Sequence, residues 1–169
     1  KTNLDEFASH VSGRTSFFGP TVNPWHPERR LSPGGSSSGT AAAIAAGYCP
    51  GGLGTDTGGS IRLPAGWCGL CGIRPTRGQS AISGIYPRSA SLDTVGAMAR
   101  SVRDIDLLLQ TIADPPLLDT LRQPAPARHL RIGVFPDLVN AKASPEVVEA
   151  YADAVGRWEE FGACVPVSL

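Results

Sequence analysis

Apolar positions in this chain fall into short runs separated by glycine and proline, and their period changes along its length. Residues 1–33 hold no sustained period, because Phe17-Phe18-Gly19-Pro20 and Asn23-Pro24-Trp25 interrupt it, so a loop-rich lead-in is expected. Ser38–Tyr48 contains Ala41-Ala42-Ala43-Ile44-Ala45-Ala46, small and strong helix formers, and predicts a buried helix that starts at a serine-rich turn and aims its positive end there. Leu53–Pro64 is so rich in glycine that an extended loop is expected. Trp67–Ile73 is short and apolar, suiting an interior strand or turn, and Gly78–Pro87 reads as a hairpin or loop.

From Ser101 the period becomes helical. A Ser-x-x-Asp start, with Ser101 as the cap and Asp104 in the first turn, leads into the stripe Ile105, Leu108, Leu109 and Ile112, and the helix should stop near Ala113, before Pro115-Pro116. Residues 114–128, with Pro115, Pro116, Pro124 and Pro126, read as a connector. Arg131–Phe135 then predicts a strand. Ser144-Pro145-Glu146 opens a helix whose apolar face is Val147, Val148, Tyr151, Val155 and Trp158, and Gly162 closes it. Ala163–Val167 follows as a second strand, so the tail reads as a β-α-β unit and points to an α/β fold. There is no internal repeat.

Composition narrows the class. The chain has 169 residues, 41% of them hydrophobic and 18% charged, with 15 basic against 15 acidic side chains, as in a globular domain or part of one. A neutral balance without a basic run gives no footprint for direct nucleic-acid binding, and no apolar stretch approaches the roughly 20 residues needed to span a bilayer. A peripheral membrane contact stays open. The sequence starts at Lys1 without a signal-like region and ends in what reads as a strand beginning to form, so an internal piece of a longer protein is expected. Cys68 and Cys71 have CxxC spacing, but no second pair or suitably spaced histidine accompanies them, so buried packing is expected rather than a metal or redox role. Together with Cys49 and Cys164 they suit a reducing compartment, which reads as cytoplasmic.

Two serines set in glycine, 24 residues apart, are the strongest chemical signal: Ser36 in Gly34-Gly35-Ser36-Ser37-Ser38-Gly39 and Ser60 in Asp56-Thr57-Gly58-Gly59-Ser60-Ile61-Arg62. Glycines let a substrate approach the main chain, and consecutive N–H groups there can converge on an anion, as acyl transfer at a serine requires. Other patterns overlap these residues. Gly35–Gly39 matches GxSxG, with Ser37 as nucleophile, but charged and proline-broken sequence precedes it where a buried strand is needed. Asp56-Thr57-Gly58 spells the aspartic-protease triplet, whose chemistry needs a second carboxylate, and a phosphate loop at Gly34–Thr40 would lack its lysine. Glycine loops that merely turn the chain are the bland reading. His10, His26 and His129 lie outside both motifs and read as surface or hydrogen-bonded structural residues, and neither Lys1 nor Lys142 has a motif that places it as a base. Arg62 beside Asp56 could brace the loop as a buried ion pair or be an ordinary surface pair.

The residues Lys1–Phe7, Phe18–Trp25, Pro33–Gly39, Gly54–Ala65 and Cys71–Thr76, taken in order, resemble the amidase signature family of serine hydrolases. The resemblance implies an α/β fold with a mixed β-sheet core flanked by helices, truncated at both ends. It would form one partial domain, with core motifs in 1–113, a connector at 114–128 and a tail at 129–169. It implies Ser60 as nucleophile, Ser36 as a bridging serine after a cis peptide bond, and an oxyanion hole of the Thr57, Gly58, Gly59 and Ser60 N–H groups, with Asp56 and Arg62 in support. The family's catalytic lysine lies upstream of the stretch matching Lys1, so this segment alone should be inactive. No cofactor or metal is implied. The expected substrate is a small amide, cleaved through an acyl-enzyme to an acid and ammonia or amine. A stand-alone amidase is the first reading, and the A subunit of a tRNA-dependent amidotransferase the alternative. A non-catalytic scaffold is the reading from another class, against which the intact Ser36 and Ser60 weigh. A homodimer or a partner subunit is left open, as are substrate identity and oligomeric state.

Overall fold

A computed structural model describes residues 1–113, 119 and 130–167. The chain divides into two compact units, Lys1–Gln123 and Pro124–Leu169. The connector expected at 114–128, Asp119 apart, and His129 lie outside the described residues.

The first unit is built on a three-stranded antiparallel sheet of β1 (Gly51–Asp56), β2 (Cys71–Ile73) and β3 (Thr94–Ala99), with β3 in the middle. Register runs from Gly51 opposite Ala99 to Asp56 opposite Thr94 on one side, and from Cys71 opposite Ala99 to Ile73 opposite Ala97 on the other. All six β3 residues are buried, and their alternation divides the core. Met98 packs with Ala41 and Ile44 of α1 (Ser38–Ala45) and with Ile61, Ala65 and Cys68 around α2 (Arg62–Trp67). Ala97 and Ala99 face the other way, against Ile105 and Leu109 of α3 (Val102–Ile112). The Ser101 hydroxyl caps α3 by accepting the Asp104 N–H at 3.1 Å, as the Ser-x-x-Asp spacing predicts.

Two features of this unit stand out against the sequence pattern. Leu53–Pro64 is not the extended loop expected: its first part belongs to β1, and its end opens α2. The glycines that argued for a loop instead admit α1 close to the strand. A Cβ at Gly52 would stand 2.8 Å from Thr40 Cγ2, and one at Gly54 2.6 Å from Ser37 Oγ. β3 itself carries the weak strand formers Gly and Ala and no alternation of polarity, since both its faces are covered. The lead-in 1–33 is loop-rich as expected, with only short 3₁₀ turns at Glu6–Ala8 and Pro27–Arg29.

The second unit contains β4 (Leu130–Val134), α4 (Pro136–Lys142), α5 (Pro145–Trp158) and β5 (Gly162–Pro166). β4 and β5 pair in parallel, Leu130 opposite Gly162 through Val134 opposite Pro166, which is the expected β-α-β arrangement. α4 is an additional helix that the apolar period does not reveal. Its local signals are Pro136 at its first position, Asp137 in its first turn and Lys142 in its last. Among the described residues no helix is long and apolar enough to cross a membrane.

Candidate active site

The two glycine-set loops, one carrying Ser36 and the other Ser60, meet at the end of β1. The Ser37 N–H donates to the Ser60 carbonyl at 3.2 Å, and Ser37 Oγ accepts the Thr55 N–H at 3.3 Å, so the Gly34–Ser38 loop lies across the exit of the strand. Ser36 and Ser60 retain only 2% and 4% of their surface exposed. The Gly35–Ser36 peptide bond is cis, and the Asp5 N–H holds the Ser36 carbonyl at 3.0 Å. A side chain at Gly35 would overlap the Asp5 carboxylate, so only glycine fits there. Neither the Ser36 nor the Ser60 hydroxyl has a hydrogen-bond partner among the described residues, yet no fully buried side-chain oxygen there is left unsatisfied. Each hydroxyl therefore keeps a small opening onto accessible space.

Asp56 organises the turn that carries Ser60. Its carboxylate is wholly buried and accepts the Gly59 N–H at 2.7 Å and the Ile61 N–H at 3.2 Å. Arg62 grips it with two parallel bonds of 3.0 Å, from Nε to Oδ2 and from Nη2 to Oδ1. Burial works against the carboxylate's charge, but the Arg62 guanidinium and the two backbone N–H groups outweigh it and hold Asp56 below the usual carboxylate range. The ion pair foreseen between Arg62 and Asp56 is thus present, with Asp56 buried and Arg62 half exposed. Gly59 takes a φ of 131°, open to glycine and rarely to other residues, and this bends the chain back onto Asp56.

Of the four N–H groups expected to line an oxyanion hole, that of Gly59 is engaged by Asp56. Those of Thr57, Gly58 and Ser60 have no acceptor among the described residues. Three N–H groups without an acceptor in one turn, beside a hydroxyl without a partner, leave donors available to an anion there.

Three further residues bear on the site without a role assigned from the sequence, although Asp5 and Arg74 lie in stretches that carry the family resemblance. Asp93 accepts the Thr57 hydroxyl at 2.5 Å through one oxygen, and the Arg88 and Ser89 N–H groups at 2.7 and 2.8 Å through the other. Burial opposes its charge, but the Thr57 hydroxyl and those N–H groups prevail and lower its pKa. Arg74 reaches the Leu92 carbonyl at 2.7 Å and stands 3.6 Å from the Asp56 carboxylate, joining the same loop to the turn that carries Ser60. Asp5 accepts the Gly13 N–H at 2.8 Å and the Thr15 N–H and hydroxyl at 2.9 and 2.7 Å, which fixes the stretch of chain bonded to Ser36. All three act across more than 15 residues or through irregular chain, where spacing carries no signal.

The competing patterns find no such setting. Ser37 spends its hydroxyl on the Thr55 backbone, and irregular chain rather than a strand precedes its loop. His10 and His26 are exposed, the latter 3.4 Å from Glu28, and Lys1 and Lys142 are exposed as well. Cys68 is buried in the core, which pushes its thiol up to about 11 and leaves it unreactive.

Comparison with known proteins bears on the whole segment. The amidase family model matches residues 1–168. The A subunit of glutamyl-tRNA(Gln) amidotransferase from Thermosynechococcus vestitus is 44% identical over 174 residues, covering 96% of this chain and 36% of that protein. The protein of the same name from Thermus thermophilus is 44% identical over 175 residues, covering 98% and 36%. A crystal structure of an amidase superposes with a TM-score of 0.86 at 34% identity, over 100% of this chain and 38% of its own. The A subunit of the Thermotoga maritima glutamyl-tRNA(Gln) amidotransferase gives 0.82 at 33% identity, covering 99% and 38%. Peptide amidase from Stenotrophomonas maltophilia gives 0.80 at 36%, covering 100% and 38%. The chain thus spans about a third of the length of the curated relatives it matches.

Proposed function

The chain belongs to the amidase signature family, and from that membership we propose that it is the serine-bearing core of a glutamyl-tRNA(Gln) amidotransferase A subunit, which releases ammonia from glutamine for a partner to use. The observation that carries this reading is the 44% identity to proteins of that name over nearly the whole chain. It displaces the stand-alone amidase from first place.

In this reading the Ser60 hydroxyl attacks the side-chain amide carbon of glutamine. Its proton passes to the Ser36 hydroxyl, whose own proton goes to a neutral lysine supplied from outside residues 1–169, since the chain's own lysines, Lys1 and Lys142, lie in no motif that would place either as a base. The oxygen of the tetrahedral intermediate becomes negative and is met by the unpaired N–H groups of Thr57, Gly58 and Ser60. The Gly59 N–H serves the turn instead, through Asp56. When the C–N bond breaks, the relay returns a proton to nitrogen, so ammonia leaves rather than an amide anion. Water then adds to the Ser60 ester by the same route and glutamate departs. Asp56 and Arg62 act only by holding the turn.

A second reading, a stand-alone amidase, has its own support: the solved amidase superposes slightly better than the solved A subunit, with TM-scores of 0.86 against 0.82. The two separate in one experiment. The full-length protein is assayed for glutamine hydrolysis alone and with its companion subunits, alongside a simple alkyl amide. Glutaminase activity that rises on adding the companions supports the amidotransferase reading. Companion-independent turnover of the alkyl amide, with glutamine untouched, would establish the amidase instead.

A further inference from the structure

Beside the serine loop lies a cavity of about 400 Å³ that the proposed chemistry does not use. It is lined by Pro20, Thr21 and Val22 together with three arginines, Arg14, Arg29 and Arg30. The two halves of this lining are fixed to the fold. Thr21 donates its N–H to the Gly13 carbonyl at 2.8 Å and shares a 3.2 Å hydroxyl contact with Ser38. Arg30 closes the Pro27–Arg29 turn in the left-handed region at φ 48°, a conformation that a residue other than glycine, asparagine or aspartate seldom takes.

The charges lining this cavity are uncompensated among the described residues. Among the described residues no side-chain hydrogen bond or ion pair is made by Arg14, Arg29 or Arg30, whereas Arg62 and Arg74 are both paired with Asp56. The nearest acid in sequence, Glu28, is turned to His26 at 3.4 Å. Three like charges on one concave wall repel one another, and an anion between them removes that cost while gaining charge-assisted bonds. A carboxylate offers two oxygens and one charge. A phosphoryl group offers three oxygens and close to two charges, and so matches three planar forks better. The volume falls in the range of small-molecule pockets and exceeds what a lone inorganic ion fills.

We propose that Arg14, Arg29 and Arg30 form a binding site for the phosphoryl group of a small phosphomonoester, separate from the Ser36–Ser60 pair. The proposal is independent of whether Ser60 is a nucleophile.

The test uses the full-length protein and isothermal titration calorimetry at fixed ionic strength, with inorganic phosphate, glycerol phosphate and succinate as probes and chloride as the balancing ion. Saturable binding of glycerol phosphate is expected, tighter than inorganic phosphate and at least roughly tenfold tighter than succinate. Arg14→Gln and Arg29→Gln should each weaken it about tenfold, the worth of one charge-assisted pair. Both residues are exposed, and circular dichroism of each variant checks that the fold persists. Arg103→Gln, an exposed arginine on α3 with no role in the cavity, should leave binding unchanged. Absence of saturable heat from the phosphate probes overturns the proposal, as does equal affinity for succinate, or equal loss in the Arg103→Gln control. Glutaminase or amidase activity is not part of the readout, so failure here and failure of the proposed chemistry remain distinguishable.

Discussion

At the scale of single residues, the candidate site is a set of carboxylates that aim backbone donors. In the proposed chemistry Asp93 is a positioning residue, since among the described residues its bond to the Ser60 turn is the one from the Thr57 hydroxyl. Asp93→Asn should lower kcat of the full-length enzyme roughly tenfold, as the loss of an outer orienting bond does, with KM little changed. Thr57→Val should do the same. The double variant should be no worse than either single one, because both remove the same bond; additive losses in steady-state kinetics would show that Asp93 works by another route. Asp56 sets a pH dependence. Its folded pKa lies below the unfolded value of about 3.9, so the stability it contributes is complete above that value and is lost as pH falls through the folded one. Urea midpoints should therefore be flat from neutrality down to about pH 5 and decline below about pH 4. Asp56→Asn should cost about 3 kcal/mol at neutral pH and flatten part of the acid limb, Asp5 and Asp93 sharing the same sign. A full acid limb in the variant would refute this account of the turn.

At the scale of elements, close packing governs how much of the fold is legible in the sequence. α3 and the β-α-β tail can be read because their apolar residues keep a period and their caps are local, as Ser101 and Ser144-Pro145 illustrate. β1 and β3 cannot, because glycine and alanine there report how near another backbone comes rather than a preference for turns. Gly96 shows this plainly: a Cβ would overlap the Ile73 carbonyl oxygen of the neighbouring strand. Gly96→Ala should thus pry β2 from β3 and destabilise the protein by roughly 2 kcal/mol or more, the cost of overpacking, rather than stabilise it as Gly→Ala does where space allows. Thermal melting of the variant checks the sign, and an unchanged or raised Tm contradicts the packing described here. The site divides the same way. Ser36, Ser60, Asp56 and Arg62 stand within two short motifs, whereas Asp5, Arg74 and Asp93 reach the site from irregular chain that only the fold brings near.

At the scale of the molecule, the described residues hold two hydroxyls and three N–H groups without an acceptor, and neither Lys1 nor Lys142 lies in a motif that would place it as a base. In the proposed chemistry the relay's amine comes from chain beyond residues 1–169, consistent with relatives of which this chain covers 36%. Residues 1–169 alone should fail to hydrolyse glutamine or alkyl amides, while the full-length protein succeeds. Turnover by the segment, abolished in Ser60→Ala, would show that the relay is complete within it. In the proposed reading partner dependence belongs to this scale too, since ammonia released at Ser60 would serve a synthetic reaction only where a companion protein receives it.

The central claim is that Ser60 is a nucleophile activated through Ser36. Its most direct test is to treat the full-length protein with a fluorophosphonate and map the adduct by peptide mass spectrometry. The account predicts one adduct, on Ser60, absent in Ser60→Ala and formed roughly a hundredfold more slowly in Ser36→Ala, on the order expected when a nucleophile loses its proton relay. Labelling on Ser37, no labelling at all, or an unchanged rate in Ser36→Ala would contradict it.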